Sequence, residues 1–163
     1  MSKWVRALGT AALVVVLDQI AKTVVTSHLE LHRSVSVIHG FFALTYVRNT
    51  GAAFGLLAGR LEDLRVPFFL TVSLLALAVL IGFLRGLPPE RRAVTVACGA
   101  VLGGAIGNMI DRFAFGEVID FLDVYVGAYH WPAFNVADAA ITIGVIVLCL
   151  DALLAPAPAH STS

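Results

Sequence analysis

The chain has 163 residues, of which 59% are hydrophobic and only 13% are charged; its mean hydropathy is +0.90. A soluble domain averages about 45–50% apolar and about 25% charged residues, so this chain lacks the polar surface to coat a globule in water. Its eleven basic and eleven acidic residues cancel, which leaves no electrostatic footprint for nucleic acid. The expectation is one α-helical integral membrane domain over residues 1–163.

A spanning helix needs about 20 largely apolar residues. Four stretches qualify, near residues 5–26, 66–84, 93–112 and 134–155. The second carries no charge, the third is uncharged from Ala93 to Ile110 but rich in glycine, and the first contains Asp18, Gln19 and Lys22. The N-terminus, with Lys3 and Arg6 ahead of an apolar run, is similar to a secretory signal. The polar triplet behind that run, and the lack of a small-x-small cleavage site, favour an uncleaved first helix. Lys3, Arg6, Arg85, Arg91 and Arg92 fall on one side of this arrangement. The positive-inside rule then puts both termini and the 84–93 connection in the cytoplasm.

Two segments remain for the outer face. The first, residues 28–65, is too long for a structureless connection. Its β-branched and aromatic runs, 34–38 and 41–47, flank His39 and Gly40 and predict a hairpin. Leu57, Leu61 and Leu64 recur at helical spacing and predict a short amphipathic helix at the interface. The second segment, 113–132, is aromatic and acidic. The last residues after Ala155 carry no Lys or Arg.

Ionisable groups in or beside such spans are costly and mark function or pairing. Asp18 and Lys22 share a helix face at i and i+4, as a neutralising ion pair or as part of a reactive site; the structural part is preferred. Gly99, Gly103 and Gly107 form two overlapping GxxxG steps, the pattern that admits another helix backbone. Asn108, Asp111 and Arg112 follow at the outer end of that helix. Asp120 lies among Val118, Ile119, Phe121 and Leu122, where desolvation favours the neutral acid. Asn135 and Asp138 fit an N-cap and its N3 partner. Asp138 equally fits a carboxylate pair with Asp120, in which one member keeps a proton.

Other chemistries find little support. His28-Leu29-Glu30-Leu31-His32 is not the HExxH zinc pattern, no serine lies in GxSxG, and Cys98 and Cys149 sit in apolar runs without metal-ligand spacing.

Taken together, five motifs resemble those of the lipoprotein signal peptidases (signal peptidase II), bacterial inner-membrane aspartic peptidases. They are Asp18-Gln19-x-x-Lys22, Asn49-Thr50-Gly51-Ala52-Ala53-Phe54-Gly55, Gly104-x-x-Gly107-Asn108-x-x-Asp111-Arg112, Val118-x-Asp120-Phe121 and Phe134-Asn135-x-Ala137-Asp138. The resemblance implies that Asp120 and Asp138 are the catalytic pair. It further implies that Asn49, Gly51, Asn108, Arg112, Asn135 and Ala137 bind substrate or order the site, and that Asp18, Lys22 and Asp111 support it. Arg112 is expected either beside an acid such as Asp111 or facing polar groups of the substrate. An extracytoplasmic antiparallel β-cradle within residues 28–65 is implied, and a short outer helix or flap after Phe113. The implied substrate is a prolipoprotein carrying diacylglycerol on its cysteine, held in contact with membrane lipid. Neither a metal, a cofactor nor an obligate protein partner is implied. A small transporter with an ion relay is the rival from another class, and it would need ionisable groups through the membrane depth. A lipid-binding scaffold would tolerate Asp→Asn changes at 120 and 138.

Overall fold

A computed structural model describes residues 1–51 and 64–154. Four helices, α1 (Lys3–His28), α2 (Arg65–Gly86), α3 (Arg92–Phe115) and α4 (Val136–Leu154), are each long and apolar enough to cross a membrane. All lie within a few residues of the predicted spans. Four strands, β1 (Ser34–Ile38), β2 (Phe42–Asn49), β3 (Val118–Val126) and β4 (Tyr129–His130), form one antiparallel sheet in the order β1-β2-β3-β4. The predicted hairpin is β1–β2, with Ile38 opposite Phe42.

The helix α3 is central, packed against α1, α4 and, less extensively, α2. Its glycines explain why. A Cβ added at Gly103 would stand 2.6 Å from the Ala11 carbonyl oxygen of α1, and one at Gly104 would collide with the Ala137 carbonyl oxygen of α4. The GxxxG steps therefore pack within one chain. Gly104→Leu is expected to cost about 1–3 kcal/mol through overpacking, read as a lower thermal midpoint in detergent. Gly82→Ala, where an added Cβ meets nothing, should leave that midpoint unchanged. The all-apolar α2 is peripheral, its most hydrophobic stretch unburied, as suits a helix turned to lipid.

The two ends of the bundle differ. At one end Lys3 donates to the carbonyl oxygens of Arg85 and Leu87, at 2.7 and 2.6 Å, and Arg91 pairs with Asp151. The N-terminus, the α2–α3 turn and the end of α4 thus lie together, as an even number of spans requires. The sheet occupies the other end.

Of the outer helix or flap expected after Phe113, the helix is corrected. Val118–Val126 is instead the third strand of the sheet, with Val47 opposite Asp120. The helix α3 stops at Gly116, whose φ of +75° is a left-handed C-cap that glycine adopts without strain. Beyond it the run Val-Ile-Asp-Phe-Leu-Asp-Val-Tyr-Val is β-branched and aromatic, which suits a pleated, half-covered surface. The helix expected over Leu57, Leu61 and Leu64, and Ala52–Gly55 of the second motif, lie outside the described residues, apart from Leu64 just before α2.

Candidate active site

Strand β3 and the start of α4 are tied by backbone bonds. Phe121 and Leu122 donate to the Phe134 carbonyl oxygen at 3.0 and 2.8 Å, and Phe134 returns one to Leu122 at 3.1 Å. Ile119 and Phe121 join a buried cluster with Val25 and Tyr46. The period of two along a strand turns Asp120 to the opposite face, where it is nevertheless buried.

Asn135, completely buried, is the hub. Its Nδ2 lies 2.8 Å from Asp120 Oδ1, 3.1 Å from Asn108 Oδ1 and 3.2 Å from the Ile119 carbonyl oxygen. Its Oδ1 accepts from the Asp138 backbone N–H at 2.8 Å, while Asp138 Oδ2 accepts from the Asn135 N–H at 3.2 Å. That reciprocal pair is a capping box, the geometry that the N-cap reading of Asn135 and Asp138 expects. Asp138 Oδ1 also accepts from Asn108 Nδ2 at 2.7 Å. Asn49, at the end of β2, donates to Asp120 Oδ2 at 2.9 Å and accepts from Gly51 N–H at 2.8 Å. The turn at Gly51 has φ +80°, and a Cβ there would strike the Phe69 ring. Each carboxylate is thereby held by two donors.

Burial pushes the Asp120 carboxyl up to about 7. The Asn49 hydrogen bond opposes this, the Asp138 charge adds to it, and the Asn135 hydrogen bond and Lys22 charge oppose it again.

Beneath this layer sits a second one. Lys22 Nζ lies 2.7 Å from both Asp18 and Asp111, all three buried, and donates to Asn108 Oδ1 at 3.3 Å. Asp18 Oδ1 accepts from the Ala137 N–H at 2.9 Å in the first turn of α4, where a negative charge also meets the helix dipole favourably. Asp111 Oδ2 accepts from the Ile119 N–H at 3.0 Å. Asp18 thus fixes the helix that carries Asp138, and Asp111 the strand that carries Asp120. Gln19, which the sequence presents only as a polar neighbour of Asp18, bridges Asp18 and Asp111 at 3.2 and 3.0 Å. An amide inside a span was its signal.

Arg112 does not pair with Asp111. Its guanidinium donates to the Asn108 carbonyl oxygen at 3.2 Å and lies 5.0 Å from the Phe69 ring centroid, and it forms no ion pair among the described residues. Asp138 opens onto an apolar groove of about 350 Å³ with Trp131, Phe134, Thr142 and Ile143. No group of His, Cys, Asp and Glu among the described residues could hold a metal ion. His130 instead contacts Asp123 at 2.9 Å and stacks on Tyr125.

A family model described as signal peptidase (SPase) II matches residues 10–154. A lipoprotein signal peptidase from Syntrophus aciditrophicus (strain SB) is 52% identical over 144 residues, covering 88% of this chain and 89% of that protein. One from Desulforapulum autotrophicum is 46% identical over 154 residues, covering 94% and 95%. A bacterial membrane enzyme solved by the in meso method at 1.9 Å superposes with a TM-score of 0.82 at 35% identity, covering 93% of this chain and 94% of the other. With the family model matching nearly the whole chain, this integral membrane protein belongs to the signal peptidase II family.

Proposed function

We propose that the chain is an aspartic endopeptidase of the bacterial inner membrane that removes the signal peptide from diacylglyceryl-modified prolipoproteins. It cuts the bond just before the lipidated cysteine. The observation that carries this reading is the shared amide framework of Asn108 and Asn135, which holds Asp120 and Asp138 in one site. The groove beside Asp138 supports it, because it gives an acyl chain or an apolar signal segment a dry wall against the reacting bond. A diacylglyceryl group keeps its cysteine near headgroup level, so the acid and base belong where a span meets the surface.

In the mechanism, the ionised carboxylate takes a proton from a water that attacks the scissile carbonyl carbon. The protonated partner donates to the carbonyl oxygen as negative charge develops there. Collapse of the tetrahedral intermediate breaks the C–N bond, and the leaving amine of the cysteine takes a proton from the pair. Asn49, Asn108 and Asn135 fix both carboxyl groups, while Arg112, which makes no ion pair among the described residues but lies in the field of Asp138, Asp111 and Asp120, can meet polar groups of the peptide. Both termini lie in the cytoplasm and the sheet on the outer face.

The relay alternative fares poorly. Among the described residues the buried charges gather at the sheet end, whereas a relay needs them through the bilayer. The test is cleavage of matched precursors, one carrying diacylglycerol on its cysteine and one not, by the purified protein in detergent. The lipidated precursor is expected to lose its signal peptide, with the lipidated cysteine as the new N-terminus by mass. Equal cutting of both precursors, or of neither, overturns the assignment.

A further inference from the structure

The end of the bundle away from the sheet carries a groove that the peptidase reading does not use. It has a volume of about 470 Å³ and runs between α3 and α4, with Ala93, Ala97, Ala100 and Gly144 in its wall and Arg6 and Arg92 at the bundle end. A Cβ at Gly144 would stand 2.8 Å from the Ala97 carbonyl oxygen, so the two backbones approach closely there, and Val96, Ile143 and Val147 complete an apolar lining. From Arg92 to Ala100 the wall runs about 12 Å along the α3 axis.

The charges at this end are unevenly matched. Arg91 pairs with Asp151. Among the described residues the Arg6 guanidinium reaches only the carbonyl oxygens of Met1 and Pro89, at 3.4 and 3.5 Å. The Arg92 side chain makes no hydrogen bond or ion pair among the described residues, and neither does the Glu90 side chain. The positive-inside rule accounts for basic residues on this side. It does not account for two guanidinium groups without a carboxylate partner among the described residues at the end of an apolar groove.

We infer that this groove binds an anionic phospholipid of the leaflet facing the termini. Arg6 and Arg92 hold its phosphate, and one acyl chain lies along Ala93, Ala97 and Ala100. Guanidinium groups recognise phosphate through paired N–H donors, and basic pockets between spans on the cytoplasmic side take anionic headgroups. A zwitterionic lipid would bring its own cation to a surface already carrying Lys3, Arg85 and Arg91.

Native mass spectrometry of the full chain, titrated with dioleoylphosphatidylglycerol or dioleoylphosphatidylcholine, tests this independently of peptidase activity. Phosphatidylglycerol is expected to bind the more tightly. R6Q/R92Q should weaken it by about thirtyfold, from roughly 1 kcal/mol for each arginine near the surface. Arg85→Gln, at the same end but outside the groove, should change it less than about twofold, and Ala100→Phe should weaken it with no change in charge. Glycerol 3-phosphate at equal concentration should leave the lipid in place. Equal binding of the two lipids, an Arg85→Gln effect as large as the double variant's, no effect of Ala100→Phe, or displacement by glycerol 3-phosphate each overturns the inference.

Discussion

Asp120→Asn and Asp138→Asn are each expected to lower kcat for the lipidated precursor by about 10⁴-fold or more, the scale seen when one member of a catalytic unit is removed. An amide can neither take a proton from water nor pass one to the leaving amine. In the proposed mechanism the two carboxyl groups act as one unit, so the double variant should be no slower than the slower single. Fold retention is the necessary control, and the geometry makes it attainable. In Asp120→Asn the new amide oxygen would still accept from one neighbouring amide. In Asp138→Asn the side-chain oxygen can still accept from the Asn135 N–H. A folded single variant with near-normal turnover would reduce that residue to a helix cap or a spectator. Additive losses would separate the two residues into independent roles.

Lys22→Met carries the largest expected effect on stability. It leaves Asp18 and Asp111 buried without the cation that lies 2.7 Å from each. Removing one partner of a buried charged network costs about 3–5 kcal/mol, because the remaining charge stays out of water. Gly107 sharpens the case, since even a Cβ there would come within 2.8 Å of Asp18 Oδ2. The affected carboxylates also hold the Ala137 and Ile119 N–H groups, so the loss spreads to α4 and β3 together. Thermal unfolding in detergent should show a large drop in midpoint. Asp111→Asn added to Lys22→Met should recover part of it by removing one of the stranded charges. A Lys22→Met protein as stable as the parent would show that the triad is solvated and contributes little.

The spans and the first hairpin are legible in the sequence because each rests on a local pattern. Uncharged runs of sufficient length predict α2 and α3, and alternating β-branched residues around His39 and Gly40 predict β1–β2. The strand over Val118–Val126 is not, because Asp120 and Asp123 break up its apolar run, and the segment reads only as aromatic and acidic, with an outer helix or flap implied by the resemblance. Only pairing with β2, more than seventy residues earlier, reveals it. The site shows the same division. Asp120 and Asp138 stand out as carboxylates in apolar company, and the motif resemblance pairs them. Sequence spacing does not say that Asn135 serves both at once, or that Asp18 caps a helix 119 residues away. Gln19 escapes such a reading because its partners Asp111 and Gly107 lie on another helix. Local periodicity carries no record of such contacts.

The proposed mechanism depends on one proton held between two carboxyl groups, and the pH dependence of kcat/KM for the lipidated precursor reads that proton most directly. The sign follows from the raised Asp120 carboxyl. As pH rises through about 7, the pair loses its remaining proton, the acid that supports the carbonyl oxygen disappears, and the rate falls. At low pH a second proton removes the base, so the profile is bell-shaped. The Asn49 hydrogen bond favours the ionised form of Asp120, and Asn49→Ala should therefore move the descending limb to higher pH. A rate still rising through pH 8 to 9, or an Asn49→Ala limb displaced to lower pH, would contradict a shared-proton dyad.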